Sequence, residues 1–189
     1  ATNVGGLIHS IYSGTMIYET TFSAYIDVMN YIEDYTVYVG GMVAHAYAGS
    51  ITNSYINSTI KGNVSNVDES WLIGGLIGYA HSYSSISNSI TAVVDDENSE
   101  YEILDMVACG VDVDASVTTI YIVGSKVSTY GTIVNLSALT PENLSYMVPN
   151  LDFGVVWNFD DSDQHNITIT LSTMKGNWIS ETSSLPVNF

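Results

Sequence analysis

The sequence predicts an all-β protein: a right-handed β-helix or β-solenoid of about four repeats of ~34 residues with a small C-terminal cap. Three observations predict it. An apolar block split by a Gly pair recurs as Asn3-Val-Gly-Gly-Leu-Ile8, Val37-Tyr-Val-Gly-Gly-Met-Val43 and Trp71-Leu-Ile-Gly-Gly-Leu-Ile-Gly-Tyr79, with a weaker copy at Asp105-Met-Val-Ala-Cys-Gly-Val111. Taking Gly5, Gly40, Gly74 and Ala108 as equivalent, the spacings are 35, 34 and 34. Second, Ser50-Ile-Thr-Asn-Ser-Tyr55 returns as Ser85-Ile-Ser-Asn-Ser-Ile90. Third, the chain is rich in Ile, Val, Tyr, Ser, Thr, Asn and Gly, a vocabulary of strands and turns.

The elements follow in order. Repeats are expected over 1–36, 37–70, 71–104 and 105–131, with the cap over 132–189. In the first, Ile17–Phe22 and Tyr25–Val28 read as short strands after the turn at Ser13-Gly14-Thr15. In the second, Ile51, Asn53 and Tyr55 alternate with small polar residues, the period-2 pattern of a strand. The third copies the second and adds an acidic excursion, Asp95-Asp-Glu-Asn-Ser-Glu100. The fourth keeps alternation only over Val117–Val123, as expected of a terminal repeat.

Each repeat is too small to bury a core alone, so stacking must supply it. The pairs Gly5-Gly6, Gly40-Gly41 and Gly74-Gly75 fit a tight corner, a bulge or positive φ. Asn53 and Asn88 fit a ladder of amides at an inside turn. In the cap, Thr140 reads as the N-cap of a short helix with Pro141 at its first position, within Ser137–Met147. Leu151–Phe153, Val155–Trp157 and Asn166–Leu171 read as strands covering the end of the stack.

The Val-Gly-Gly-Leu-Ile-Gly-Tyr blocks followed by Ser-Ile-x-Asn-Ser resemble GLUG-motif repeats. Leu139-Thr-Pro-Glu-Asn-Leu144, Leu151-Asp-Phe153 and Val156-Trp-Asn158 are similar to the stretch that closes such arrays. The likeness spans most of residues 3 to 171. It departs in the first repeat, which lacks the Asn-Ser pair, and in the fourth, which has Ala108-Cys109 for Gly-Gly. It implies β-helical stalks in bacterial adhesins and non-catalytic regions of large surface proteases. Its motif is structural and carries over no catalytic residues.

Charge narrows the partners. The chain has 3 Lys, no Arg and 20 Asp plus Glu, a net charge of −17. Nucleic-acid phosphates and anionic membrane surfaces need the cation clusters this chain lacks. No apolar run reaches 18 residues and no signal-peptide pattern is present. The chain starts inside a repeat block, so it is expected to be a piece of a larger protein or a processed subunit docking on another copy.

Chemistry-bearing residues are few. His9, His45 and His81 follow their Gly pairs at three, four and six residues, offsets that take them off one ladder. They are expected to be exposed turn residues, with no metal or cofactor site. His165 is isolated. Asp160, Asp161 and Asp163 are the weak Ca2+ candidates, lacking the Gly and distal Glu of an EF-hand loop. Asp112 and Asp114 are the only carboxylate pair on an expected strand, and no catalytic team accompanies them, so no enzyme is expected. Cys109 reads as a small core residue. Candidate glycosylation sequons start at Asn57, Asn63, Asn135, Asn143 and Asn166. Tyr12, Tyr18, Tyr47, Tyr55, Tyr79 and Tyr83 are strand filler or a sugar-stacking row.

The function expected is a structural or interaction protein of the cell exterior, an adhesin stalk or a fibre subunit assembling through solenoid ends. Its partners would be copies of itself or neighbouring domains of a surface protein, with glycans a further class. The alternative is a carbohydrate-binding or accessory module of a secreted enzyme.

Overall fold

A computed structural model describes residues 3–30, 36–64, 71–124, 126, 128–160, 162 and 168–172. The protein is a β-solenoid of parallel strands with about three turns, one fewer than the repeat count predicted. The first coil holds β1 (Val4–Gly5), β2 (Ile8–Tyr12), β3 (Met16–Tyr18) and β4 (Thr21–Asn30). The second holds β5 (Val37–Gly40), β6 (Val43–Tyr47), β7 (Ser50–Thr52) and β8 (Tyr55–Val64). The third holds β9 (Trp71–Gly74), β10 (Ile77–Ala80), β11 (Ser85–Thr91) and β12 (Val94–Asp95). The fourth is partial. It gives β13 (Ala108–Val111) and β14 (Ser116–Val123), but on the first face only a bridge between Asp105 and Gly74.

Stacking makes three parallel sheets. The first is β1-β5-β9, the second β2-β6-β10-β13, and the third joins the remaining solenoid strands and ends at β15 (Thr132–Val134). Apolar side chains from all coils meet inside, among them Ile11, Ile51, Ile56, Ile77, Ile86 and Met106, all essentially inaccessible. This shared interior is what a single repeat cannot build.

The Gly pairs are the corners between the first and second sheets, and none of the six glycines has positive φ. They are required by close approach. A Cβ on Gly5, Gly40 or Gly74 would stand 1.9, 1.8 or 1.9 Å from the carbonyl oxygen of Ile8, Val43 or Ile77 in the same coil. A Cβ on Gly6, Gly41 or Gly75 would stand 2.2, 2.1 or 2.3 Å from the carbonyl oxygen of Gly41, Gly75 or Met106 in the next coil. The corner amides run coil to coil: Gly41 N–H donates to Gly75 O at 3.0 Å and Met42 N–H to Leu76 O at 2.9 Å.

The fourth corner corrects the sequence alignment. Gly74 pairs with Asp105 and Ile77 with Ala108, so the chain returns to the corner after 31 residues, three fewer than the 34 between Gly40 and Gly74, and the corner itself keeps its length. Ala108-Cys109 therefore lies opposite Ile77-Gly78, and the place of the Gly pair is taken by Asp105-Met106. The buried Asp105 carboxylate closes that corner instead. Its oxygens accept from the amides of Val107 (2.8 Å), Ala108 (3.3 Å) and Thr129 (2.6 Å) and from the Ser128 hydroxyl.

Asn53 and Asn88 occupy one bend of the third sheet, both with φ of 49°. Glu19 (φ 45°) and Thr119 (φ 57°) take the same place in the flanking coils. The recurrence of Asn thus follows a left-handed bend, which Asn tolerates better than most side-chain-bearing residues. Beside the backbone bond from Asn53 N–H to Ser87 O at 3.3 Å, the adjacent serines add a side-chain bond between coils: Ser54 N–H donates to Ser89 Oγ at 3.1 Å, and both serines are buried.

In the C-terminal segment, a 3-10 turn at Leu136–Ala138 precedes a helix, α1, that spans only Leu144–Met147, so Thr140 is not its N-cap. The Asn143 side chain instead accepts from the Thr140 amide at 2.8 Å. The strands β16 (Trp157–Asp160) and β17 (Thr168–Leu171) pair antiparallel, and Leu151–Phe153 forms only a bridge residue at Phe153. β15 continues the third sheet past β14. The rest lies along the flank: Leu136, Leu144, Leu151 and Trp157 share a second apolar cluster with the ladder Tyr55, Ile90 and Tyr121.

Gly40→Ala is predicted to lower unfolding free energy by at least about 3 kcal/mol, because backbone and not a flexible side chain must move. Gly14→Ala, with nothing within 4 Å but φ of +82°, costs only about 1 kcal/mol. Urea midpoints of the two variants check the contrast.

Candidate functional site

The outer face of the second sheet gathers most of the chain's chemistry. Two ladders point outward there. One is Ser10, His45, Tyr79 and Gly110, paired coil to coil. The other starts at the pair Tyr12 and Tyr47 and continues, one residue past the pairs Ala46–Ala80 and Ala80–Val111, through His81 and Asp112. Period-2 alternation sends both ladders to one side, and the parallel register stacks them along the solenoid axis. Tyr38 joins from β5 across the Gly corner, its ring 4.8 Å from His45 and 5.5 Å from Tyr79.

The rings cover one another. Tyr12 stacks on Tyr47 at 5.3 Å and 11°, and Tyr47 on His81 at 4.0 Å and 12°. His45 lies beneath, only 4% exposed. Its Nδ1 is 3.0 Å from His81 Nε2, a hydrogen bond between coils. The expectation of exposed turn histidines is therefore overturned for His45. The two histidines do lie on different ladders, as their offsets indicate. The rings span the diagonal between neighbouring strands, which long side chains reach. His9 is exposed, with its Nδ1 2.7 Å from the Ser10 hydroxyl and its ring 6.2 Å from that of His45.

Asp112 anchors the far end. It accepts from the Tyr79 hydroxyl at 2.8 Å, the Ser82 amide at 2.9 Å and the Ser82 hydroxyl at 3.2 Å. The Tyr79 hydroxyl, then the Ser82 amide, hold its carboxyl below the usual carboxylate range. Gly110 makes the contact available: a Cβ there would stand 2.4 Å from the Tyr79 ring, which leans over it toward Asp112. Asp112 Oδ2 is 4.0 Å from His81 Nδ1.

That geometry sets the protons. An anion beside Nδ1 of His81 favours the proton there and leaves Nε2 as acceptor. His45 Nδ1 then donates, and its Nε2, buried without a hydrogen-bond partner, carries a bare lone pair. Burial, then the neighbouring His81 and His9, push the His45 pKa down to about 4. Burial lowers that of His81 too, with Asp112 opposing.

The other candidates lie apart. Asp114 is exposed, and its carbonyl accepts from Tyr83 N–H, so it forms no catalytic pair with Asp112. Asp95 accepts from Ile103 N–H and pairs with Lys126, while Asp96 accepts from the Tyr25 hydroxyl at 2.8 Å. Asp160 accepts from Ser162 N–H at 2.9 Å; Asp161, Asp163 and His165 lie outside the described residues. Cys109 donates to Gly78 O, and burial pushes its thiol up to about 12, as suits a packing residue. Among the sequons, Asn57 is buried, Asn135 is exposed and caps the 3-10 turn, and Asn143 ties Thr140 to Ala138. The side chain of Asn63 and all of Asn166 lie outside the described residues. Tyr18 and Tyr83 are exposed singly, and Tyr55 is in the flanking cluster.

Among the described residues, no three His, Cys, Asp or Glu side chains converge as metal ligands. No helix there is long and apolar enough to cross a membrane. Scanned against models of known protein families the chain matches none, and a search of curated proteins finds no match.

Stability is predicted to fall with acid in EDTA-treated protein. The His45 pKa is about 4 when folded against 6.5 unfolded. The unfolded chain therefore binds more protons between those values, and stability is full above pH 6.5 and lost as pH falls toward 4. The loss through His45 is on the order of 3 kcal/mol. His45→Gln flattens this slope in urea titrations run across that range.

Proposed function

We propose that the protein is a structural or interaction module of the cell exterior, an adhesin stalk or fibre subunit that assembles end-on through its coils. The observation that carries this is the first coil. Among the described residues its strands pair on one side only, with the second coil. The same coil exposes Leu7, Ile8, Tyr12, Met16 and Tyr18. An unpaired strand row beside exposed apolar side chains is a template for strand addition. The occupant is a further coil, from another copy or from a neighbouring repeat of a longer surface protein. The likeness to GLUG-motif repeats, rooted in the Gly-Gly and Asn-Ser motifs, supports the same reading. So does a sequence with 3 Lys, no Arg and 20 Asp plus Glu, which suits neither nucleic acid nor anionic lipid.

The carbohydrate-binding alternative draws on the row Tyr12, Tyr47 and His81. A sugar ring needs an open aromatic face, and here the faces are spent on each other, leaving the outer face of Tyr12, itself 59% exposed, at the open end of the row. The same free face continues the stack if another coil arrives. No reaction is proposed, since Asp112 is engaged by Tyr79 and Ser82 and Asp114 does not join it.

Negative-stain microscopy at high protein concentration tests the fibre form. Regular filaments are expected, and the double variant I8K/M16K, which charges the open coil, is expected to abolish them. Discrete monomers of the unmodified chain at every concentration contradict the polymer and leave the stalk.

A further inference from the structure

We propose that His45 and His81 form a two-nitrogen site for a borderline divalent transition ion, with Cu2+ preferred over Ni2+ and Zn2+. The inference is independent of end-on assembly and rests on how the second sheet places three side chains.

The two nitrogens that face each other, His45 Nδ1 and His81 Nε2, are 3.0 Å apart. Two imidazole nitrogens bound to one ion at metal–nitrogen distances of roughly 2.0–2.1 Å stand roughly 2.9 Å apart at a right angle and roughly 3.4 Å apart at the tetrahedral angle. The observed separation lies in that interval, so an ion needs the rings to tilt and not the coils to part. His81 is the ring that tilts, since its side chain is 30% exposed while His45 is buried against Tyr38, Tyr47 and His81. Water fills the remaining positions, because no third protein ligand converges there among the described residues.

Behind His81 stands a carboxylate. Asp112 Oδ2, 4.0 Å from Nδ1, is itself fixed by Ser82 and, through its other oxygen, by Tyr79. A carboxylate at the far nitrogen of a histidine sets its tautomer, aims the near nitrogen and raises its basicity toward a metal. Both imidazoles are held neutral near pH 7, the form that ligates. The ion would replace the proton that the pair now shares, and His45 would carry that proton on Nε2, the buried nitrogen that now has no partner. Two neutral nitrogen ligands select imidazole-loving ions over Ca2+ or Mg2+, and copper over its neighbours. The net charge of −17 adds attraction for any cation.

The test uses the full chain, stripped with EDTA and dialysed, then titrated with Cu2+ and with Ni2+ by calorimetry. One ion per chain is expected, with Ca2+ giving no heat. His81→Ala weakens binding by more than about tenfold, Asp112→Asn by about tenfold, and His9→Ala changes it by less than about twofold. Absence of saturable binding overturns the proposal, as does affinity unchanged in His81→Ala or lost in His9→Ala. Circular dichroism checks that each variant folds. Should His81→Ala not fold, electron paramagnetic resonance of the Cu2+-loaded natural sequence decides. Two coordinated imidazole nitrogens support the site, and one or none contradicts it.

Discussion

The backbone-to-backbone approach at the Gly-Gly corners is the constraint on which the rest of the molecule depends. There the first sheet turns into the second so tightly that a single methyl group on Gly40 would meet the Val43 carbonyl at 1.8 Å. The second glycine of each pair lies equally close to the coil above it. One residue type thus fixes both the turn within a coil and the spacing between coils. Register then propagates: once the Val4–Val39 and Gly5–Gly40 pairs are set, β2 meets β6 at Ile8–Val43, and the apolar residues fall on one interior. A slip of one residue would turn every strand inside out.

The outer cluster is a product of the same register. Identical turns place Ser10, His45 and Tyr79 above one another, and Tyr12 above Tyr47. No coil holds a site by itself. His45 comes from the second coil, His81 from the third and Asp112 from the partial fourth. The stacked rings stiffen the face and shut out water, which is why a histidine on an outward ladder is buried and resists protonation. Chemistry here belongs to the stack, so whatever loosens the corners also disperses the cluster.

The solenoid was legible because its signal is periodic. Gly-Gly at near-constant spacing and Ser-Ile-x-Asn-Ser reveal repeat, strand and turn without any tertiary knowledge. Three features were not legible. The chain reaches the fourth corner three residues early, and a carboxylate, Asp105, closes it where a Gly pair stands elsewhere, so spacing alone matched Ala108-Cys109 to the wrong pair. Asn53 and Asn88 recur in sequence for a backbone reason, while the neighbouring Ser54 and Ser89 supply the side-chain bond between coils. The His45–His81 contact was missed because offsets of four and six residues exclude a shared ladder and say nothing of a diagonal between ladders. The usable clue was parity: the offsets are both even, so both residues fall on the outward side of the same sheet, two positions apart, in successive coils. The flanking course of the C-terminal segment depends on the outward apolar ladder Tyr55, Ile90 and Tyr121, whose second face reads in sequence as ordinary strand alternation.

Native-state amide hydrogen exchange at the corners tests the central claim most directly. Met42 N–H donates to Leu76 O and Leu76 N–H to Val107 O, at 2.9 and 3.1 Å. If the corners hold the coils together, these amides exchange only by global unfolding, with the same free energy and urea dependence as the fully buried Ile56 near the start of β8. Exchange at Met42 and Leu76 at the rate of an open loop, while Ile56 stays protected, would contradict the account.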